Sequence, residues 1–237
     1  MVLGTPNADT EAISQLAYGE EFAVLDMTGG WAWGYCVHDG YVGYVRHDIL
    51  GVTHPPSHLV SVREAPVFTG PSIKSTVTRA LGLGARVAGT THEAFLDTGD
   101  GFIHLRHLID VRERLADPVE TAEKLIGAPY LWGGRGDGGV DCSGLVQRAL
   151  ALAGLSCPRD SDQQLVALGR ELTADEPLTR GDLVFFPGHV GIMADGANLL
   201  HANAYWMQVV IEPLADVVAR LQPTTETPVL GKRRLAA

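Results

Sequence analysis

Gly133-Gly134-Arg135-Gly136-Asp137-Gly138-Gly139-Val140-Asp141-Cys142-Ser143-Gly144-Leu145-Val146, residues 133–146, is a flexible glycine-rich loop that turns into a helix at a cysteine. Leu145, Val146, Ala149, Leu152 and Ala153 follow at helical spacing and supply a face to bury. Cys142 thus falls in the first turn. Unpaired backbone N–H groups and the helix macrodipole favour negative charge there, so the expectation is a thiol with a lowered pKa, held as thiolate. The same N–H groups, that of Cys142 included, are placed to hold an oxyanion.

A thiolate does not cleave an amide unaided, because the leaving amine needs a proton. Pro187-Gly188-His189-Val190-Gly191-Ile192 sets His189 at the head of an apolar strand, with glycines on both sides that leave room for a substrate backbone. His201 follows Leu199-Leu200 one strand later. Antiparallel pairing of the two strands brings the imidazoles together, and His201 then fixes the tautomer that His189 presents to Cys142. The roles that follow are Cys142 as nucleophile, His189 as base and His201 as the residue that orients the base. The same three side chains also satisfy a three-ligand zinc site. A helix start and a glycine-rich approach serve a nucleophile and not a ligand, and stoichiometric zinc on purified protein would decide for the metal.

Outward from this segment, Asp117-Pro118 caps a helical stretch through Ile126, and apolar strands follow at 183–186, 190–193 and 199–201. A domain therefore spans 112–237. Ahead of it the texture is of short strands, Phe22-Ala23-Val24-Leu25, Trp31 to Val37 and Gly43-Tyr44-Val45, separated by Gly-Gly and Asp-Gly turns, which read as a small all-β barrel over 1–54. The proline-bearing break at 53–57 opens a second unit, 55–111. In it Leu81-Gly82-Leu83-Gly84 takes the place of Ala17-Tyr18-Gly19-Glu20, and Asp100-Gly101-Phe102-Ile103 the place of Asp39-Gly40-Tyr41-Val42. Two related barrels in tandem are expected.

The 237 residues, 46% hydrophobic and 19% charged, suit a globular chain with a sizeable core. A formal net charge of -10, with Lys232-Arg233-Arg234 near the end as the only basic cluster, speaks against nucleic acid, and the triplet reads as a solvated tail. No segment has the length or apolarity of a membrane span or of a secretory leader, so a cytoplasmic protein is expected, or a periplasmic one had a leader been removed. Three cysteines without a CxxC spacing argue against a disulfide framework or a structural zinc, and Cys36 and Cys157 read as small buried hydrophobes. The remaining histidines sit in turn or barrel-edge contexts with no nucleophile nearby.

Five ordered pieces resemble the NlpC-type (NlpC and p-sixty) cell-wall peptidases, a papain-like family: Pro129-Tyr130-Leu131-Trp132-Gly133-Gly134, Asp141 to Val146, Arg180-Gly181-Asp182-Leu183-Val184-Phe185-Phe186, Gly188 to Ile192 and Leu200-His201-Ala202. The front half looks like the paired bacterial SH3-like domains that precede this catalytic domain. The resemblance implies an α+β fold: a papain-like domain, its N-terminal helices packed on an antiparallel sheet, behind two SH3-like barrels. It implies hydrolysis of the γ-D-glutamyl to diamino acid bond (meso-diaminopimelate or L-Lys) of murein stem peptides through a thioester on Cys142. No cofactor, nucleic acid or membrane is implied, and a monomer is expected. Tyr130, with Trp132, would line the cleft. Asp141 and Ser143 would bind the free amine of the substrate's L-Ala, and the first barrel would add Glu20 and Tyr41. In the second barrel Phe102 stands where the first has Tyr41, and no tryptophan occurs between Ser57 and Arg114, which suits a spacer. Two other readings stay open, a non-catalytic murein-peptide binder and a papain-like amidase or acyltransferase acting on another substrate.

Overall fold

The computed structural model describes residues 1–52 and 54–235; Thr53, the first residue of the expected linker, lies outside the described residues. The chain forms two compact units. Unit one comprises Met1–Arg114 with Gly133–Gly138, and unit two Leu115–Trp132 with Gly139–Ala237.

Unit one begins with β1 (Val2–Leu3), β2 (Ala12–Ser14), β3 (Phe22–Thr28), β4 (Trp31–Cys36) and β5 (Val42–Arg46), an antiparallel sheet in the order β2-β1-β5-β4-β3. Strand β4 shows why it forms: Ala32, Gly34 and Cys36 point inward, while Trp33 and Tyr35 alternate to solvent. Val2, Ala32, Cys36 and Val45 make the core, so Cys36 is a buried small hydrophobe as expected.

Its later strands are β6 (His58–Val60), β7 (Glu64–Phe68), β8 (Val77–Gly82), β9 (Arg86–Val87), β10 (Thr90–His92), β11 (Phe95–Asp97), β12 (Phe102–His104) and β13 (Leu108–Asp110). They form sheets β10-β11-β12-β7-β8 and β13-β6-β9 over a core that includes Val60, Val67, Leu81, Leu96 and Ile103. A one-turn 3-10 helix follows β5 at His47–Ile49 and β12 at Leu105–His107, the same order at the two places matched by sequence. Gly19 sits at φ +76°, and a Cβ there would strike the Arg86 carbonyl, so the two halves of unit one approach at backbone distance.

The glycine-rich loop differs from the flexible segment expected. Its residues 133–138 are tied into unit one: the Arg135 backbone N–H donates to Gln15 Oε1 at 2.7 Å, Gln15 Nε2 donates to the Asp137 carbonyl at 2.7 Å, and Gly82 N–H donates to Asp137 Oδ1 at 2.9 Å.

Unit two contains α1 (Pro118–Glu123), α2 (Cys142–Leu152), α3 (Ser161–Ala167), β14 (Arg170–Glu171), β15 (Leu183–Phe186), β16 (His189–Met193), β17 (Asn198–Asn203), β18 (Gln208–Pro213), α4 (Leu214–Leu221) and β19 (Gly231–Arg234). Asp117 accepts from Val119 N–H and caps α1, with Pro118 at the first position; the helix ends at Glu123, three residues short of the expected Ile126. The sheet runs β14-β19-β15-β16-β17-β18. Alternate residues Val184, Phe186, Met193 and Leu199 pack with Val217 of α4, while α2 lies against β16 and β17 with Leu145, Val146, Ala149 and Leu150 buried. The basic triplet is not a loose tail: it lies in β19, paired with β15, and Arg234 forms an ion pair with Asp182 at 2.7 Å. Among the described residues, no helix is long and apolar enough to cross a membrane.

Candidate active site

Cys142 is the first residue of α2, with Asp141 as its N-cap: the Asp141 carboxylate accepts from Gly144 N–H at 2.7 Å. The sequence folds this way because Gly138 and Gly139 both take φ values that side chains avoid, and a Cβ on Gly139 would press on the Pro129 carbonyl and Leu131. The Cys142 thiol, 5% exposed, lies within hydrogen-bond reach of the backbone N–H groups of Val190 and Ser143. Val190 is the residue after His189, so the Cys142 thiol and the head of β16 meet.

His189 and His201 share an alternation with Met193 and Leu199 and project from one face of the sheet. His189 Nε2 and His201 Nδ1 are 2.8 Å apart, the hydrogen bond expected from antiparallel pairing of β16 with β17. The two nitrogens face each other across one proton, which leaves them no common point for an ion. Among the described residues no group of His, Cys, Asp or Glu side chains is disposed to hold a metal. Of the flanking glycines, Gly188 has open space beside it and Gly191 does not. Gly188 makes a turn at φ +66°, and a Cβ on Gly191 would lie 2.8 Å from the Leu199 side chain, so neighbouring strand packing occupies that space.

The electrostatics correct one expectation. Burial, then the Asp141 charge, push the Cys142 thiol up to about 11, against the lowering effect of the Val190 and Ser143 N–H groups and of Arg159. The helix N-terminus does act in the predicted direction, but desolvation of the thiolate outweighs it. Burial and then His201 bring His189 down to about 3, so the resting thiol and the resting imidazole are both neutral. Burial, then the charges of Cys142 and Asp141, push the Tyr130 phenol up to about 12. Trp132 is 55% exposed.

Two acidic residues expected at the substrate amine are already engaged. Asp141 forms a buried ion pair with Arg159, whose Nη1 is 3.1 Å from Oδ1 and 2.8 Å from Ser143 Oγ. Glu20 and Tyr41 belong to unit one, where Glu20 accepts from Arg135 Nη1 at 2.6 Å in another buried pair. Tyr41 packs against the cluster of Val2, Ala32, Cys36 and Val45.

Sequence reasoning missed Arg159 and Glu212. Arg159 stands two residues ahead of α3, with no periodicity to mark it. Glu212 Oε1 lies 2.9 Å from His201 Nε2, and the carboxylate pairs with Arg220 of α4. Its signal was parity: β18 places Val210 opposite His201, so Glu212, two residues on, projects from the same face as His201.

Residues 127–220 match the NlpC/P60 family, and residues 2–50 match the bacterial dipeptidyl-peptidase SH3 domain. The chain carries an NlpC/P60 domain. Ahead of the NlpC/P60 domain, the match identifies one SH3 domain. Dipeptidyl-peptidase 6 of Lysinibacillus sphaericus is 27% identical over 238 residues, covering 89% of this chain and 87% of that protein. A γ-D-glutamyl-L-lysine dipeptidyl-peptidase of Bacillus cereus is 28% identical over 240 residues, 85% of this chain and 70% of that one. The crystal structure of an NlpC/P60 family protein from Bacillus cereus superposes with a TM-score of 0.76 over 96% of this chain and 83% of its own, at 23% identity, and so agrees in fold. The architecture is the papain-like NlpC/P60 fold with an N-terminal SH3 domain.

Proposed function

We propose that unit two hydrolyses the γ-D-glutamyl to diamino acid bond of murein stem peptides that carry a free N-terminal L-Ala. The chain is a cysteine peptidase by its NlpC/P60 domain and by the dipeptidyl-peptidases homologous to it. What supports the reading is the thiol of Cys142, at the capped start of α2, within reach of the N–H of Val190, the residue next to His189, whose ring is hydrogen-bonded to His201.

In this proposal Cys142 attacks the carbonyl carbon while His189 takes its proton, and the N–H groups at the start of α2 hold the oxyanion. His189 then returns the proton to the leaving amine, and water attacks the thioester with the same base. Because the resting pair is neutral, proton transfer accompanies attack. Tyr130 lines the cleft, with Trp132 at its exposed margin. Ser143 and Asp141 meet the substrate amine, Asp141 sharing its charge with Arg159. A peptide still attached to glycan lacks that amine and would be refused, so the substrates are fragments already released. We read residues 55–111 as a second SH3-like barrel with a spacer role and the protein as a monomer.

Cys142→Ala should abolish cleavage of L-Ala-γ-D-Glu-diaminopimelate and leave the circular dichroism spectrum unchanged. Undiminished turnover by that variant sinks the assignment. Wild-type protein that binds the peptide without cutting it would favour a murein-binding module, and mass spectrometry of products separates an amidase or acyltransferase. N-acetylated and free-amine peptides compared side by side test the amine contact, since equal rates would remove the roles of Asp141 and Ser143.

A further inference from the structure

His201 Nε2 has two polar neighbours that demand opposite things of it. Glu212 Oε1 lies 2.9 Å away, and the Asn203 amide nitrogen lies 2.8 Å away. A carboxylate only accepts, so the contact with Glu212 requires a proton on Nε2; an amide NH2 only donates, so a bond from Asn203 requires Nε2 to be bare. Asn203 is held in that orientation, because its Oδ1 accepts from Trp206 N–H at 2.8 Å.

The choice propagates. With the proton on Nε2, His201 Nδ1 is an acceptor, the 2.8 Å bond to His189 must be donated by His189 Nε2, and His189 Nδ1 is left bare, which is the form a base needs. With the proton on His201 Nδ1 every step reverses, and His189 carries a proton on Nδ1 where it should accept one.

We propose that Glu212 is a positioning residue that sets the polarity of this relay, winning Nε2 of His201 from Asn203 and so leaving His189 basic. This rests on the catalytic roles proposed above for His189 and His201. The surroundings of Glu212 suit it to that role. Its side chain is 11% exposed, Arg220 Nη1 and Nη2 from α4 grip both carboxylate oxygens, and the Trp206 side chain donates to it as well. Arg220 in turn lies over the Tyr205 ring, 4.0 Å from its centroid. Four contacts thus fix one oxygen on His201.

The proposal is tested by histidine ring nitrogen NMR on the full chain with 15N-labelled histidine, together with steady-state kinetics on the free-amine peptide. Wild type should show His201 and His189 both protonated on Nε2. Glu212→Ala leaves Asn203 as the sole claimant among these two, and both rings should switch to the Nδ1–H form; adding Asn203→Ala should weaken the switch. The kinetic consequence is a loss of about 100-fold in kcat with KM within about twofold, the size of a general-base contribution, and Glu212→Asp should recover part of it. Unchanged tautomers in Glu212→Ala overturn the proposal, as does a loss confined to KM. Should Glu212→Ala not fold, Glu212→Leu, which also offers His201 no acceptor, is read by the same spectra with the same two outcomes. The tautomers are measured without substrate, so a wild type that cuts no peptide refutes the proposed function and leaves this result standing.

Discussion

Arg159→Ala offers a demanding check on how the nucleophile is seated. The guanidinium and the Asp141 carboxylate are 2% and 7% exposed, so both charges were taken out of water and are compensated by each other, by Ser143 and by the Gly144 N–H. Removing one partner of such a buried pair leaves the other uncompensated, at a cost of about 3–5 kcal/mol. For a unit of roughly 120 residues, each kcal/mol lowers the melting temperature by about 4 °C, so a fall of about 12–20 °C is expected. Of that cost the helix cap is a minor part, because Asp141 keeps its bond to Gly144 in the variant. Replacing both, as Asp141→Asn with Arg159→Met, removes the stranded charge and should recover more than half of the loss, giving a coupling well outside the additive range. Differential scanning calorimetry on the single and double variants is the assay. An Arg159→Ala melting temperature within about 3 °C of wild type, or additive losses in the double variant, would refute the buried-pair account.

Two further outcomes follow from the neutral thiol and imidazole. Free Cys142, with its pKa near 11, should be alkylated by iodoacetamide at pH 7 about 100-fold more slowly than an ordinary exposed thiol, the rate rising with pH up to about 11; a rate plateau between pH 5 and 8 would mean a preformed thiolate–imidazolium pair. Because the folded protein holds His189 well below the ordinary histidine value, the unfolded chain binds a proton there first, so stability present above about pH 6.5 is lost as pH falls toward about 3. His189→Gln should flatten the decline of melting temperature between pH 7 and 4, and an identical decline in variant and wild type would contradict that burial.

Much of the site was legible as sequence because its signals are local. A capping aspartate, a cysteine and an apolar helical repeat within a dozen residues fix Cys142 at the start of α2, and two apolar runs each bearing one histidine fix which strands carry His189 and His201. Glycines in the approach to Cys142 read as flexibility in the sequence, whereas Gly138 and Gly139 are there because the backbone takes φ values that side chains avoid. Of the two beside His189, Gly191 was misread as open space, since the side chain that fills the room there, Leu199, comes from another strand.

Sequence by itself thus determined the nucleophile's place on a helix, the pairing of two imidazoles and the succession of β-rich and α/β segments, all set by neighbours close along the chain or by the twofold alternation of a strand. Only tertiary structure decided the thiol's protonation, the partners of Asp141 and Glu20, and the carboxylate behind His201. Those depend on desolvation and on charges brought from 18, 115 and 11 residues away, and no local pattern records which distant group will arrive to balance a buried charge.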